Sequence, residues 1–174
     1  FDPNVLIYNG HSENALSQER INKWKNPAGG FIHAIHSARW GGYHYQITGK
    51  SEAGELEYIG GWQNNRQMGM HKEHRFVDNI FEELDAPGEW FLDTDQSILY
   101  FYPPAGIDLN ACTIEVSRLK HVVEFRGDAN NPVKHIQLKD VSITHTAHTF
   151  MQTKEPLLRS DWAIYRGGAV VLED

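Results

Sequence analysis

Near its beginning the chain carries one amphipathic segment that predicts a helix. Between residues 12 and 25, Ile21 and Trp24 fall on adjoining helical faces, and Ser12 is placed to cap the first turn. Asn26-Pro27 and the glycines that follow end the segment, because a residue before proline disfavours helical dihedrals. We predict one short helix here and β-structure in the rest of the chain.

Short strand patterns follow this helix. Residues 31–35, 43–48 and 56–59 alternate apolar or aromatic residues with polar ones, as strands with one buried face do. Residues 89–92 and 98–102 are strand-forming runs on either side of a polar turn, which predicts a hairpin with Trp90 and Tyr100 in its core. Residues 76–84 fit a short helix or an irregular strand equally well, and both alternatives stay open.

The last third of the chain predicts stacked coils. Val122–Phe125 and Val170–Leu172 repeat one short apolar pattern, with a similar pattern between Ile136 and Ile143. Very short strands separated by turns are typical of solenoid coils. The predicted fold is therefore all-β: the first coils of a right-handed parallel β-helix, an N-terminal β-rich insertion lobe and one short helix. The predicted units are residues 1–26 (helical), 27–112 (β-rich lobe) and 113–174 (coils). Because a strand pattern closes the sequence, we expect it to be a truncated part of a longer protein.

Composition narrows the functional classes. The 174 residues are 40% hydrophobic and 22% charged, which is typical of a globular protein, and the net charge is −7. Nucleic-acid binding is disfavoured because no basic stripe is present to neutralise phosphates. No apolar run approaches the roughly 20 residues that a membrane-spanning helix needs. Cys112 is the single cysteine, which excludes a disulfide framework, and we predict that it is a buried, inert thiol.

Ten histidines raise the question of a metal site. They include three His-x-x-His pairs: His33/His36, His71/His74 and His145/His148. Imidazoles three residues apart share a face on a helix but point to opposite sides of a strand, and no third ligand accompanies any pair. We therefore predict no metal site.

The hairpin region resembles a known family. Pro87–Asp93 together with Leu99–Pro104 is similar to a segment of bacterial right-handed parallel β-helix glycoside hydrolases, above all the fucosidase and xylanase group of glycoside hydrolase family 141. Residues 24–30, 40–42, 76–81 and 135–144 are similar to that group as well, whereas Ser97 replaces the glycine usual in its hairpin turn. The resemblance implies a periplasmic or secreted glycosidase without a cofactor that degrades polysaccharide. It also implies that the catalytic carboxyl groups lie on later coils, beyond residue 174.

Within the chain, the segment from His145 to Arg166 is the predicted sugar-binding loop. Trp162 is its candidate stacking platform, and His148, Arg159 and Asp161 are candidate hydrogen-bonding partners. Glycoside hydrolysis needs two carboxyl groups on either side of one glycosidic bond. Asp161, beside an aromatic residue, is the candidate catalytic residue of this chain, and the other carboxylates in this region are Asp140, Glu155, Glu173 and Asp174.

Two alternatives remain open for the function. A polysaccharide lyase on the same scaffold would neutralise a uronate with calcium or with basic residues, for which Lys139, Lys154, Arg159 and Arg166 are candidates. A non-catalytic β-helix, such as an adhesin, would bind carbohydrate without turnover. The expected partners are a polysaccharide or oligosaccharide and the rest of the protein's own chain.

Overall fold

The structure, a computed structural model, describes residues 15–39, 41–62, 69–152, 155–156, 163–164 and 167–173. The described chain is mostly β-structure with one short α-helix, which confirms the predicted all-β class. The elements in chain order are α1 (Gln18–Lys23), β1 (Phe31–His36), β2 (Gly42–Lys50), β3 (Leu56–Gly60), β4 (Met70–Asp78), a 3₁₀-helix (Phe81–Glu83), β5 (Trp90–Asp93), β6 (Ile98–Phe101), β7 (Val123–Arg126), β8 (Glu155–Pro156), β9 (Ala163–Ile164) and β10 (Val170–Glu173).

Helix α1 begins later than predicted. Its N-cap is Ser17, which has an extended backbone (φ −68°, ψ 148°). The Ser17 hydroxyl oxygen accepts the N–H of Arg20 at 3.3 Å, so the helix begins directly after this residue. The prediction that Ser12 caps this helix is therefore wrong. A serine hydroxyl stabilises a helix only when it reaches an unpaired N–H of the first turn, and Ser17 is the serine in that position.

A four-stranded antiparallel sheet in the order β3-β2-β1-β4 organises the first half of the chain. Strand alternation buries Ile32, Ala34 and His36 of β1 on one face. Helix α1 covers that face with Ile21 and Trp24. The buried cluster is completed by residues from β2 and from the segment after β4, namely Tyr43, Tyr45, Ile47 and Ile80.

Residues 76–84, which the sequence left undecided, contain both a strand and a helix. Strand β4 continues to Asp78, and the 3₁₀-helix begins at Phe81. Asn79 separates them with a backbone φ of 50°, in the left-handed region that asparagine tolerates better than most residues. The chain turns there, so Ile80 enters the core that the sheet and α1 share.

The predicted hairpin is confirmed, but one of its core residues is not. Strands β5 and β6 pair with Trp90 opposite Phe101 and Phe91 opposite Tyr100. Phe91 and Tyr100 make edge-on contacts with Phe81, whereas the Trp90 residue is 55% exposed. Consecutive strand residues point to opposite faces, so Trp90 cannot share the buried side with Phe91. The prediction that Trp90 belongs to the hairpin core is wrong.

The two apolar repeats of the last third lie side by side. Strands β7 and β10 are parallel and in register, with Val123 opposite Val170 and Phe125 opposite Leu172. This confirms that the two repeats pair with each other. Among the described strands, parallel pairing is confined to β7 and β10, and the other sheets are antiparallel.

Cys112 departs from its prediction. It is exposed, in an irregular stretch without strand structure, so the prediction that it is a buried thiol is wrong.

No helix in the described residues has the length and apolar character needed to cross a bilayer.

The hairpin turn offers a test of the backbone geometry. Ser97 has a φ of 57°, a conformation that costs a residue with a Cβ atom more than it costs glycine. We expect Ser97→Gly to raise the free energy of unfolding by about 0.5–1 kcal/mol, measured by urea denaturation. The control is Gln96→Gly in the same turn, where no positive φ is relieved. A Ser97→Gly variant no more stable than the control would contradict this geometry.

Candidate functional site

The face of the sheet opposite α1 carries polar and aromatic side chains. The register of β1 places His33 between His44 of β2 and Phe76 of β4. It likewise places Phe31 opposite Asp78. Every second residue of β1 is buried against α1, so the residues between them, with their neighbours on β2 and β4, lie on the other face.

Three of these side chains form a hydrogen-bonded row. Nδ1 of His33 lies 2.8 Å from Nδ1 of His44, and Nε2 of His33 lies 2.7 Å from a carboxylate oxygen of Asp78. A carboxylate only accepts, so the consistent arrangement of neutral rings has His44 donating to His33 and His33 donating to Asp78. The row thus fixes the tautomer of His33 and the orientation of the half-exposed Asp78 carboxyl group.

The surroundings of His44 disfavour its charged form. Burial is the largest cause and the neighbouring His33 the second, and together they outweigh Asp78, so the pKa of His44 lies below 6.5. This fits its role in the row as a neutral imidazole that donates one N–H.

Phe150 packs over this row from a distant part of the sequence. Its ring centroid lies 5.2 Å from that of Phe31, 5.1 Å from His33 and 4.8 Å from His44. His148 contacts the same ring at 5.6 Å. The segment that includes His148 and Phe150 therefore lies against the polar face of the sheet.

A cleft of about 670 Å³ opens between this face and the hairpin. Phe31, His33 and Asp78 line its sheet side, and Trp90 lines its hairpin side. His148 and Phe150 complete the wall from the C-terminal part of the chain. Aromatic rings and polar groups that converge in a cleft of this size are characteristic of small-molecule sites.

Asn79 positions the hairpin side of the cleft. Its side-chain oxygen accepts the N–H of Leu92 at 3.0 Å, and its amide nitrogen donates to the carbonyl of Gly29 at 3.2 Å. All three residues line the cleft. One side chain therefore ties the start of the hairpin to the loop that leads into β1.

The three carboxylates around the cleft are not equivalent. Glu83 accepts the indole N–H of Trp24 at 2.7 Å and pairs with Arg20, and Glu89 accepts the N–H groups of Asp85 and Ala86 at 2.9 and 2.8 Å. Burial alone would raise the pKa of Glu83, but its hydrogen bonds and the nearby positive charges outweigh burial and lower it. Glu83 is thus engaged on both carboxylate oxygens, whereas Glu89 and Asp78 each accept hydrogen bonds on one oxygen.

The predicted sugar-binding residues fall on both sides of the described boundary. His148 lines the cleft. Arg159, Asp161 and Trp162 lie outside the described residues, and so does Asp174.

Of the remaining carboxylate candidates, Asp140 is exposed in a bend with a φ of 55°, and Glu173 pairs with Arg126. The turn conformation of Asp140 and the ion pair of Glu173 are both features that serve the fold. Glu155 belongs to β8, of which the structure describes the backbone.

Several cleft residues were not predicted from the sequence. His33 was considered only as half of the His33/His36 pair, and Asp78, Phe31 and Phe150 were not singled out. Alternation could have placed His33 and His44 on one face of a β1–β2 pair. The approach of Phe150 could not have been predicted, because it depends on a contact between residues more than a hundred positions apart.

The His-x-x-His pairs behave differently from one another. His33 faces the cleft while His36 is 1% exposed on the opposite face of β1, as strand alternation predicts. Nδ1 of His145 lies 3.6 Å from a carboxylate oxygen of Glu115. His71 and His74, in contrast, have ring centroids only 4.4 Å apart, so the expectation that they point to opposite sides of a strand is wrong.

The row of histidines predicts a specific titration. Followed by its Cε1–H signal in ¹H NMR, His44 should titrate below 6.5. His33→Gln should raise the pKa of His44 by removing a neighbouring imidazole, yet leave it below 6.5 because burial remains. Asp78→Asn should lower it further. His44 has a lower pKa in the folded chain than in the unfolded chain. Its neutral form therefore contributes fully to the free energy of unfolding above about pH 6.5, and this contribution is lost as the pH falls through the pKa of the folded state. Shifts of the same sign in both variants would contradict the assigned causes.

The comparisons with known proteins add no family assignment. No protein-family model, no curated protein and no solved structure matches this chain. Function is therefore inferred from the chemistry of the cleft together with the resemblance of the hairpin region.

Proposed function

We propose that this chain forms the saccharide-binding part of an extracytoplasmic glycoside hydrolase built on a parallel β-helix. The observation that carries this proposal is the exposed indole of Trp90, which lines the cleft on the side away from the His33–Asp78 pair. A large aromatic face held open to solvent beside oriented polar groups suits a sugar ring, whose faces are apolar and whose rim is hydroxylated.

The polar groups of the cleft match the rim of a sugar. Asp78 can accept hydrogen bonds from hydroxyl groups, and the imidazole of the exposed His148 can donate or accept. Phe150 and Phe31 add apolar surface beside them. The cleft therefore offers both kinds of contact that distinguish a saccharide from a purely apolar ligand.

The parallel pairing of β7 and β10 supports the proposal of a β-helix scaffold. Two strands that are separated by more than forty residues pair in register over four positions, as successive coils of a solenoid do. Together with the resemblance of residues 87–104 to the glycoside hydrolase group, this favours a β-helix over a sandwich. Polysaccharide degradation outside the cytoplasm follows from that family resemblance.

The family resemblance favours binding over catalysis within this chain. Hydrolysis needs two carboxyl groups separated by roughly 5–10 Å across the scissile bond. Glu83 is engaged on both oxygens by Arg20 and Trp24, whereas Asp78 and Glu89 each accept hydrogen bonds on one oxygen. Because the resemblance implies catalytic carboxyl groups on later coils, we place the catalytic pair outside the described cleft.

The charge of the described cleft lining favours a hydrolase over a lyase. None of the described residues that line it is lysine or arginine, and its ionisable side chains are carboxylates and imidazoles. A uronate would bring a further negative charge to this surface and gain no guanidinium or ammonium partner. A neutral sugar is the favoured ligand.

Replacement of Trp90 tests the proposed binding. We expect the 174-residue chain to bind neutral oligosaccharides, and Trp90→Ala to weaken that binding by about 1–3 kcal/mol, roughly tenfold for each 1.4 kcal/mol. Isothermal titration calorimetry with xylo-oligosaccharides and fucosylated oligosaccharides measures the loss. The matched control is Trp62→Ala, an indole that is 43% exposed and does not line the cleft.

Equal losses in both tryptophan variants, or unchanged affinity in Trp90→Ala, would contradict the proposal. Tighter binding of polygalacturonate than of neutral sugars would favour the lyase alternative instead. The same samples should show no release of aryl fucoside or aryl xyloside product, and turnover abolished by Asp78→Asn would place catalysis in this cleft.

A further inference from the structure

Strand β4 pairs irregularly with β1 near its start, at the opposite end of the strand from Asp78. Ala34 pairs with Arg75 and His36 pairs with Met70, so residues 71–74 stand opposite Ile35 alone. Such an excess of residues forms a bulge, in which the regular alternation of side chains is lost. The bulge explains why His71 and His74, three positions apart, share one side of the strand.

The bulge gathers three ligand-type side chains. The imidazole nitrogens of His71 and His74 and a carboxylate oxygen of Glu73 all lie within 4.8 Å of one another. Ligand atoms bound about 2.0–2.1 Å from a tetrahedral metal are about 3.3 Å apart, so small side-chain rotations bring the three donors into that geometry. The local backbone is already ordered, because Nδ1 of His71 accepts the N–H groups of Glu73 and His74 at 3.1 and 3.2 Å.

We propose that His71, Glu73 and His74 bind a divalent transition-metal ion, for which Zn²⁺ is the reference probe. Two imidazoles and one carboxylate suit zinc and its neighbours in the first transition series rather than calcium, which prefers oxygen ligands alone. Three protein ligands leave a fourth position for water or for an oxygen of a ligand. The site is separate from the saccharide cleft, whose described lining includes none of these residues.

Arg39 sets the affinity of this site. Its Nε lies 3.4 Å from Nε2 of His71, and Lys72 adds a second positive charge within the bulge. Metal binding through Nε2 requires the ring proton to move to Nδ1, which gives up the two backbone hydrogen bonds at that nitrogen. It also requires the guanidinium to move away, because the bound cation would be repelled by it. Arg39 therefore weakens binding, which gives the proposal a test in which affinity should increase.

The experiment is a calorimetric titration of the 174-residue chain and its variants with ZnCl₂ at pH 7.5. We expect one site, weakened by at least about 10-fold in His71→Ala and in His74→Ala, because each removes a ligand and even loss of a group that only orients a ligand costs about 10- to 100-fold. Glu73→Gln should weaken binding less, and Arg39→Gln should strengthen it. His135→Gln, at an exposed histidine outside the cluster, is the control and should bind like the unchanged chain.

Thermal denaturation provides a second readout. Zn²⁺ should raise the melting temperature of the unchanged chain and of His135→Gln but not of His71→Ala, since ligands stabilise the state that binds them. Each variant's melting temperature without metal shows whether it folds. Equal zinc affinity in the His71, His74 and control variants, or weaker binding in Arg39→Gln, would overturn the proposal and leave the saccharide cleft unaffected.

Discussion

The burial of Trp24 is the interaction on which the sheet, the helix and the edge of the cleft depend. Its side chain is fully buried against the sheet, and its indole N–H donates to Glu83 at 2.7 Å. Arg20 holds the same carboxylate from one turn earlier in α1, with its Nε at 3.1 Å. Loss of a buried tryptophan costs proteins about 3–5 kcal/mol, against a typical net stability of about 5–15 kcal/mol. The 3₁₀-helix that carries Glu83 is thereby fixed to α1.

This anchoring lets the two faces of the sheet serve different purposes. One face is filled by Ile32, Ile47 and their neighbours under α1, which supplies the apolar burial that stabilises the fold. The other face is then free to hold the His44–His33–Asp78 row, a set of polar groups that would be costly to bury without partners. The cleft exists because the stabilising contacts are concentrated on the opposite side.

Local patterns accounted for the parts of the fold that depend on local physics. The hairpin followed from two strand-forming runs around a polar turn, and the β7–β10 pairing followed from a repeated apolar pattern. The side occupied by Trp90 was mispredicted because two adjacent aromatic residues give no indication of which one faces a partner. The start of α1 was mispredicted because Ser12 and Ser17 both precede the amphipathic segment, and the pattern alone does not show which hydroxyl reaches an N–H of the first turn.

Most of the candidate site lay beyond such patterns. The cleft joins residues from Phe31 to Phe150, and these meet only after the sheet, the hairpin and the C-terminal segment have packed. The bulge of β4 is likewise a property of register, which depends on the partner strand β1 and not on residues 71–74 alone. The residue types therefore led to a hypothesis of carbohydrate binding without locating the cleft.

We propose that the cleft between the sheet and the hairpin binds a saccharide. An NMR titration of the ¹⁵N-labelled 174-residue chain with neutral oligosaccharides, followed at the indole N–H signals, tests this binding directly. We expect the Trp90 signal to move in a saturable way, while the signal of Trp24, buried and bonded to Glu83, stays in place. A Trp90 signal that does not respond to any oligosaccharide, or equal shifts at both indoles, would contradict it.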